Sequence, residues 1–137
     1  MTRQFFCFSL AAALIAGCAT APRLTLDQVK KRRVYEGSKE DIMNAVRIFS
    51  TREEFKIQSF EEERGRIAGF KSVTFPRMED PRVVRMQVSV LPDSPGKWEV
   101  SAVFLYSTSG DVLSRDEESL LVECHLLLFE QIGQVAK

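Results

Sequence analysis

Two stretches near the middle of the chain alternate without a break. Val84, Met86, Val88 and Val90 are apolar, and Arg85, Gln87 and Ser89 between them are polar. After a short connection, Trp98, Val100, Ala102, Phe104 and Tyr106 resume the pattern, with Glu99 and Ser101 in between. Successive side chains of a strand point to opposite faces, so each stretch reads as a strand with one apolar face. The connection Pro92-Asp93-Ser94-Pro95-Gly96-Lys97 has turn chemistry. Together they predict an antiparallel hairpin whose apolar face must be covered by something. This feature limits the fold more than any other in the chain.

A second hairpin precedes it. Phe55 and Ile57 alternate with Lys56 and Gln58, and Ile67 to Phe75 returns as the partner strand. Between them lies Glu61-Glu62-Glu63-Arg64-Gly65-Arg66, with Gly65 the residue expected at positive φ. Gly69 inside the returning strand indicates a bulge or a close backbone contact.

Two helices supply the cover. Ser38 and Asp41 form an S-x-x-D start, followed by Ile42, Ala45, Val46 and Phe49 at helical spacing. That helix ends near residues 52–54. Ser114 and Glu117 start the second, whose stripe is Leu120, Leu121, Cys124, Leu127, Leu128 and Ile132. Val122, Leu126 and Phe129 widen this stripe beyond what an amphipathic surface helix needs. Such a helix either lies deep against the sheet or buries its second face against another chain. With a short strand at Arg33–Gly37, the order is β-α-β-β-β-β-α. The expected fold is α+β: an antiparallel four- to five-stranded sheet with both helices on one face.

The first residues are of a different kind. Arg3 precedes an apolar segment from Phe5 to Ala16, about a dozen residues where a membrane span needs roughly 20. A short positive region, a short apolar region and small residues at its end describe a secretory signal peptide. Residues 1–17 are thus expected to be removed, residues 18–32 to form a tether, and residues 33–137 to form one domain. Thr25 and Gln28 have capping-box spacing for a short helix within the tether. The basic cluster Lys30, Lys31, Arg32 and Arg33 would lie close to the membrane, and a solvated linker is the plainer reading of it.

Ile15-Ala16-Gly17-Cys18 resembles the bacterial lipobox. The resemblance implies diacylglycerol on the Cys18 sulfur, cleavage before Cys18 and acylation of the new amino group. The alternative is an ordinary signal peptide with a cysteine beside its cleavage site. Ala19, where enterobacterial sorting places Asp to retain a lipoprotein in the inner membrane, implies the outer membrane. The mature segments "RVYEGSKEDIMNAVRIFSTREEFKIQSFEEERGRIAGFKS" and "SLLVECHLLLFEQIGQ" resemble small bacterial outer-membrane lipoproteins. The layout is also similar to the globular, helix-grip-like domains of the assembly lipoprotein BamC. Asp41, Ala45, Gly65, Ile67 and Ala68 or Gly69 carry the match. Those relatives often have Leu-Gly-Phe before the strand, where this chain has Glu53-Glu54-Phe55.

No residue set reads as an active site. Formal net charge is zero, so no global field favours nucleic acid. His125 is the only histidine, and Cys124 beside it faces elsewhere on a helix, so the two do not form a catalytic pair. Of the three cysteines, Cys7 leaves with the signal and Cys18 carries lipid, so Cys124 has no disulfide partner. No metal ligand set and no cofactor motif is present. The expectation is a non-enzymatic lipoprotein on the periplasmic face of the outer membrane, an adaptor or assembly accessory held by lipid on Cys18. Its partner would be a periplasmic or outer-membrane protein. Leu126 and Phe129 on the last helix, with Met78 and Glu79 in the Pro76–Pro81 loop, are the candidate contact surface. The alternative is a binding module with an apolar or peptidic ligand between helix and sheet, lined by Trp98, Phe104 and Leu128.

Overall fold

The computed structural model describes residues 24–108 and 112–137. The signal segment 1–17 and Cys18 lie outside the described residues. Five strands and two helices follow in the order β-α-β-β-β-β-α: β1 (Arg32–Glu36), α1 (Lys39–Arg52), β2 (Lys56–Glu61), β3 (Arg66–Val73), β4 (Arg82–Ser94), β5 (Lys97–Tyr106) and α2 (Arg115–Gly133). The strands form one antiparallel sheet in the order β1-β5-β4-β3-β2.

The central hairpin is longer than its alternation suggests. β4 continues through Pro92 to Ser94, with an irregularity between Pro92 and Ser94, and the turn closes at Gly96 with φ of 77°. A proline is tolerated there because β3 pairs with β4 only as far as Ser89, so Pro92 needs no N–H on that side. Gly65 turns the other hairpin with φ of 65° and sits against the Val90 carbonyl, which a Cβ at this position would approach to 2.1 Å. Gly69 is the close contact foreseen for it. A Cβ there would lie 2.8 Å from the Lys56 carbonyl oxygen, beside the bulge that displaces β2 between Ile57 and Ser59.

Both helices start as their capping residues predict. Ser38 Oγ accepts from the Asp41 N–H at 3.1 Å. Ser114 and Glu117 complete a reciprocal capping box, with bonds of 3.2 and 3.1 Å. α1 ends by passing through Glu54 at φ of 63°, which lets the Phe55 N–H reach the Ser50 carbonyl at 2.8 Å. This is the left-handed position at which glycine is favoured.

The core lies between the helix pair and one sheet face. Ile42, Val46 and Phe49 of α1 and Leu121, Leu128 and Ile132 of α2 meet Ile67, Val84, Met86, Val100 and Phe104. An aromatic cluster of Phe49, Phe55 and Phe104 has ring centroids 5.8–5.9 Å apart. Two tyrosines fix α2 to the sheet through its backbone: Tyr35 Oη donates to the Phe129 carbonyl at 3.2 Å, and Tyr106 Oη donates to the Glu117 carbonyl at 2.7 Å.

The expected tether begins to be domain earlier than residue 33. Thr25 to Val29 forms a single turn, with the Thr25 N–H donating to Gln28 Oε1. Val29 is buried, Leu26 packs on the core, and the Leu26 N–H donates to Glu118 Oε1. The Lys31 carbonyl accepts from the Ala102 N–H at 2.8 Å, just past the end of β1. Residues 24–31 therefore form a strap across β5 and α2.

Candidate functional site

Two surfaces have the character of contact sites. The first is the sheet face away from the helices. Strand alternation sends Val34, Leu91, Val103 and Leu105 to this side, where they are 42–46% exposed. Near the middle, Ser59, Ala68, Gln87, Ser89, Ser101 and Val103 line a shallow hollow of about 480 Å³. The hollow exists because most of these side chains are small. Charges of both signs frame it, with Arg66 and Glu61 on one flank and the Arg32–Glu99 ion pair, 3.2 Å, on the other. No element among the described residues covers this face, since both helices lie opposite.

The second surface is the groove between the strap and α2. Leu24, Gln28, Val29, Lys30 and Arg33 form one wall and Leu126, Phe129 and Glu130 the other, enclosing about 570 Å³. Leu24 and Leu126 are exposed at 44% and 50%, while Phe129 is only 5% exposed. Phe129 stacks on Tyr35 at 6.5 Å, and the Arg33 guanidinium lies 5.9 Å over its ring.

These positions revise the expected contact surface. Phe129 belongs to the core and is not a free surface residue. The broad stripe of α2 buries its second side against β1 and the strap of its own chain, so its width gives no evidence of a second chain. Leu126 remains exposed. Met78 is half-buried and Glu79 exposed in a loop at the far end of β4, where the Met78 N–H bonds the Phe75 carbonyl. The basic cluster also divides. Lys30 and Arg33 line the groove, Lys31 is exposed where β1 begins, and Arg32 turns to the opposite side to meet Glu99.

The site between helix and sheet is filled. Phe104 and Leu128 are core residues, and Trp98 stands near one end of the sheet with its indole N–H donating to the Gly37 carbonyl. A small cleft of about 120 Å³ does separate the helices, crossed by an Arg52–Gln131 hydrogen bond of 2.9 Å.

Among the buried ionisable groups, one ion pair joins the sheet to α2. Arg82 at the start of β4 pairs with Glu117 of α2 at 2.6 Å, both largely buried, and the guanidinium lies over Tyr106. Sequence reasoning saw Glu117 only as a capping residue. Its ion pair links positions 35 residues apart, and no local pattern signals that. Burial raises the Glu117 pKa, but the Ser114 hydrogen bonds and the Arg82 charge outweigh it and hold the carboxyl below its usual range. His125 Nδ1 bonds the Leu121 carbonyl at 2.8 Å, its Nε2 makes no hydrogen bond, and its ring meets the Phe104 edge at 4.8 Å. Burial holds this imidazole below its ordinary pKa. Burial likewise pushes the Cys124 thiol up to about 11, far from the thiolate that reacts or ligates. Among the described residues, no group of three or more His, Cys, Asp or Glu is placed to hold a metal ion, and no helix is long and apolar enough to cross a membrane.

No family model and no curated protein matches the chain. Among solved structures, the chain is similar to one in the crystal structure of the adenylate sensor from AMP-activated protein kinase in complex with ZMP. The match has 13% identity and a TM-score of 0.52, and covers 77% of this chain and 95% of that one. At this identity the likeness shows the fold alone.

Proposed function

We propose that the protein is a non-enzymatic lipoprotein on the periplasmic side of a bacterial outer membrane, anchored through Cys18 and acting as an envelope adaptor or assembly accessory. The lipobox-like Ile15-Ala16-Gly17-Cys18 supports the anchor. The observation that carries the adaptor role is the uncovered sheet face, with Val34, Leu91, Val103 and Leu105 exposed around a hollow of small side chains. Four exposed aliphatic side chains on the sheet, flanked by charges of both signs, suit a folded protein partner: an apolar centre with a polar rim.

Photocrosslinking in cells from position 103 tests this, with position 58 on the edge strand as control. A single envelope protein captured from 103 and not from 58 supports the role. Leu105→Arg, on the same face, should lower that capture about tenfold or more, equivalent to ~1.4 kcal/mol, while changing stability by no more than about 0.5 kcal/mol. Capture that Leu105→Arg leaves intact would remove this face from the reading. The anchor has its own test. Palmitate labelling should disappear in Cys18→Ser, and a labelled Cys18→Ser protein would sink the lipoprotein assignment.

A further inference from the structure

We propose that the strap side of the domain is its membrane-facing surface, seated on anionic phospholipid headgroups through Lys30, Lys31 and Arg33 with Leu24 and Leu126 inserted among them. The inference rests on the lipid anchor at Cys18 and extends it from an attachment to an orientation.

Three observations lead there. The first is reach. Six residue steps separate Cys18 from Leu24, and a fully extended chain covers at most about 20 Å over that distance. A domain of this size has a radius of gyration of about 13 Å and is roughly 30 Å across. The connection is thus shorter than the domain, and the side on which Leu24 lies cannot turn far from the bilayer. The second is chemistry. Leu24 and Leu126 are exposed on opposite walls of one groove, and Lys30 and Arg33 line the same groove. Apolar side chains flanked by long cationic ones match a headgroup layer over acyl chains. The third is rigidity. Phe129 forms part of the α2 wall and is fixed by Tyr35, and the strap is pinned by buried Val29 and by the Leu26–Glu118 hydrogen bond. The carboxylates near this side are Glu130, which lines the groove, Asp27, which is exposed on the strap turn, and Glu118, which accepts from the Leu26 N–H. Within the groove itself Lys30 and Arg33 outnumber Glu130, and Arg32, already paired with Glu99, is not needed.

The protein processed in cells, carrying Leu126→Cys labelled with an environment-sensitive fluorophore, is reconstituted in vesicles of phosphatidylglycerol and phosphatidylethanolamine, or of phosphatidylcholine alone. Buried Cys124 does not compete for the label. The same probe at Val103→Cys reports the opposite face. A blue shift is expected at position 126 on the anionic vesicles and not at 103. It should be lost at high salt, which screens the headgroup charge, and in Lys30→Glu combined with Arg33→Glu. Because Arg33 covers Phe129, the salt arm decides if that double variant fails to fold. Protein that floats with vesicles while the probe at 126 stays water-like overturns the orientation and leaves the anchor standing. A shift at 126 equal on both vesicle types, or matched at 103, overturns it as well. Protein that does not float at all overturns both.

Discussion

At the scale of the residue, Glu54 is, with Arg77, one of two non-glycine residues at positive φ among the described residues. It holds φ of 63° with its side chain in solvent, a conformation that costs a non-glycine residue about 1–2 kcal/mol. Glu54→Gly should therefore raise stability by about 0.5–1 kcal/mol after glycine's own entropy cost, seen as a thermal midpoint a few degrees higher; a lower midpoint would refute this account. His125 gives a second residue-level expectation. Its pKa is depressed in the folded protein, so below about pH 6.5 the unfolded chain binds a proton that the folded one refuses. The contribution is complete above pH 6.5 and is lost as pH falls toward the folded value, at a slope of at most about 1.4 kcal/mol per pH unit. Glu117 adds a loss of the same sign in the carboxylate range, at lower pH. Chemical denaturation between pH 7 and pH 5 should show falling stability in the native protein and a flatter profile in His125→Gln. An unchanged slope would acquit the imidazole.

At the scale of the element, α2 shows what a sequence reveals and what it hides. Its start at Ser114–Glu117, its buried stripe and its place after two hairpins were legible, because capping and periodicity are local signals. So was the alternation that builds β4 and β5. The destination of Phe129 was not legible. The residues that cover it, Arg33 and Tyr35, lie more than 90 positions earlier, and the strap beside them was expected to be a linker. Arg82–Glu117 is hidden in the same way, since neither partner stands out locally. Of the candidate contact surface, Leu126 and the exposed part of the basic cluster could be read in advance. The bare sheet face could be inferred only in outline, from two helices too few to cover both sides. Phe129→Ala should cost about 3–5 kcal/mol, whereas Leu126→Ala should stay within about 0.5 kcal/mol. Equal losses from the two in urea unfolding would mean that Leu126 is also core.

At the scale of the whole molecule, the layers point in different directions: a helical layer edged by the strap, and a bare sheet face opposite. If residues 24–31 are structural, a chain shortened to begin at Arg32 loses the burial of Leu26 and Val29, on the order of 2–4 kcal/mol, besides the Leu26–Glu118 and Ala102–Lys31 hydrogen bonds. Equilibrium unfolding of that chain against one beginning at Ala19 measures the difference, and equal stabilities would return the segment to the status of a linker.

The pairing of the two chain ends has a consequence of another kind. β1 pairs with β5, Tyr35 bonds the Phe129 carbonyl, and the Lys137 N–H donates to the Glu36 carbonyl at 3.0 Å. The first strand thus finds its sheet partner only after β5 has been made, and its bonds to Phe129 and Lys137 only when α2 and the residues after it are present; closing such long loops is slow. Until β5 has been made, nothing native closes over residues 32–36. A polypeptide emerging from the ribosome thus carries its first strand unpaired until the fifth strand arrives.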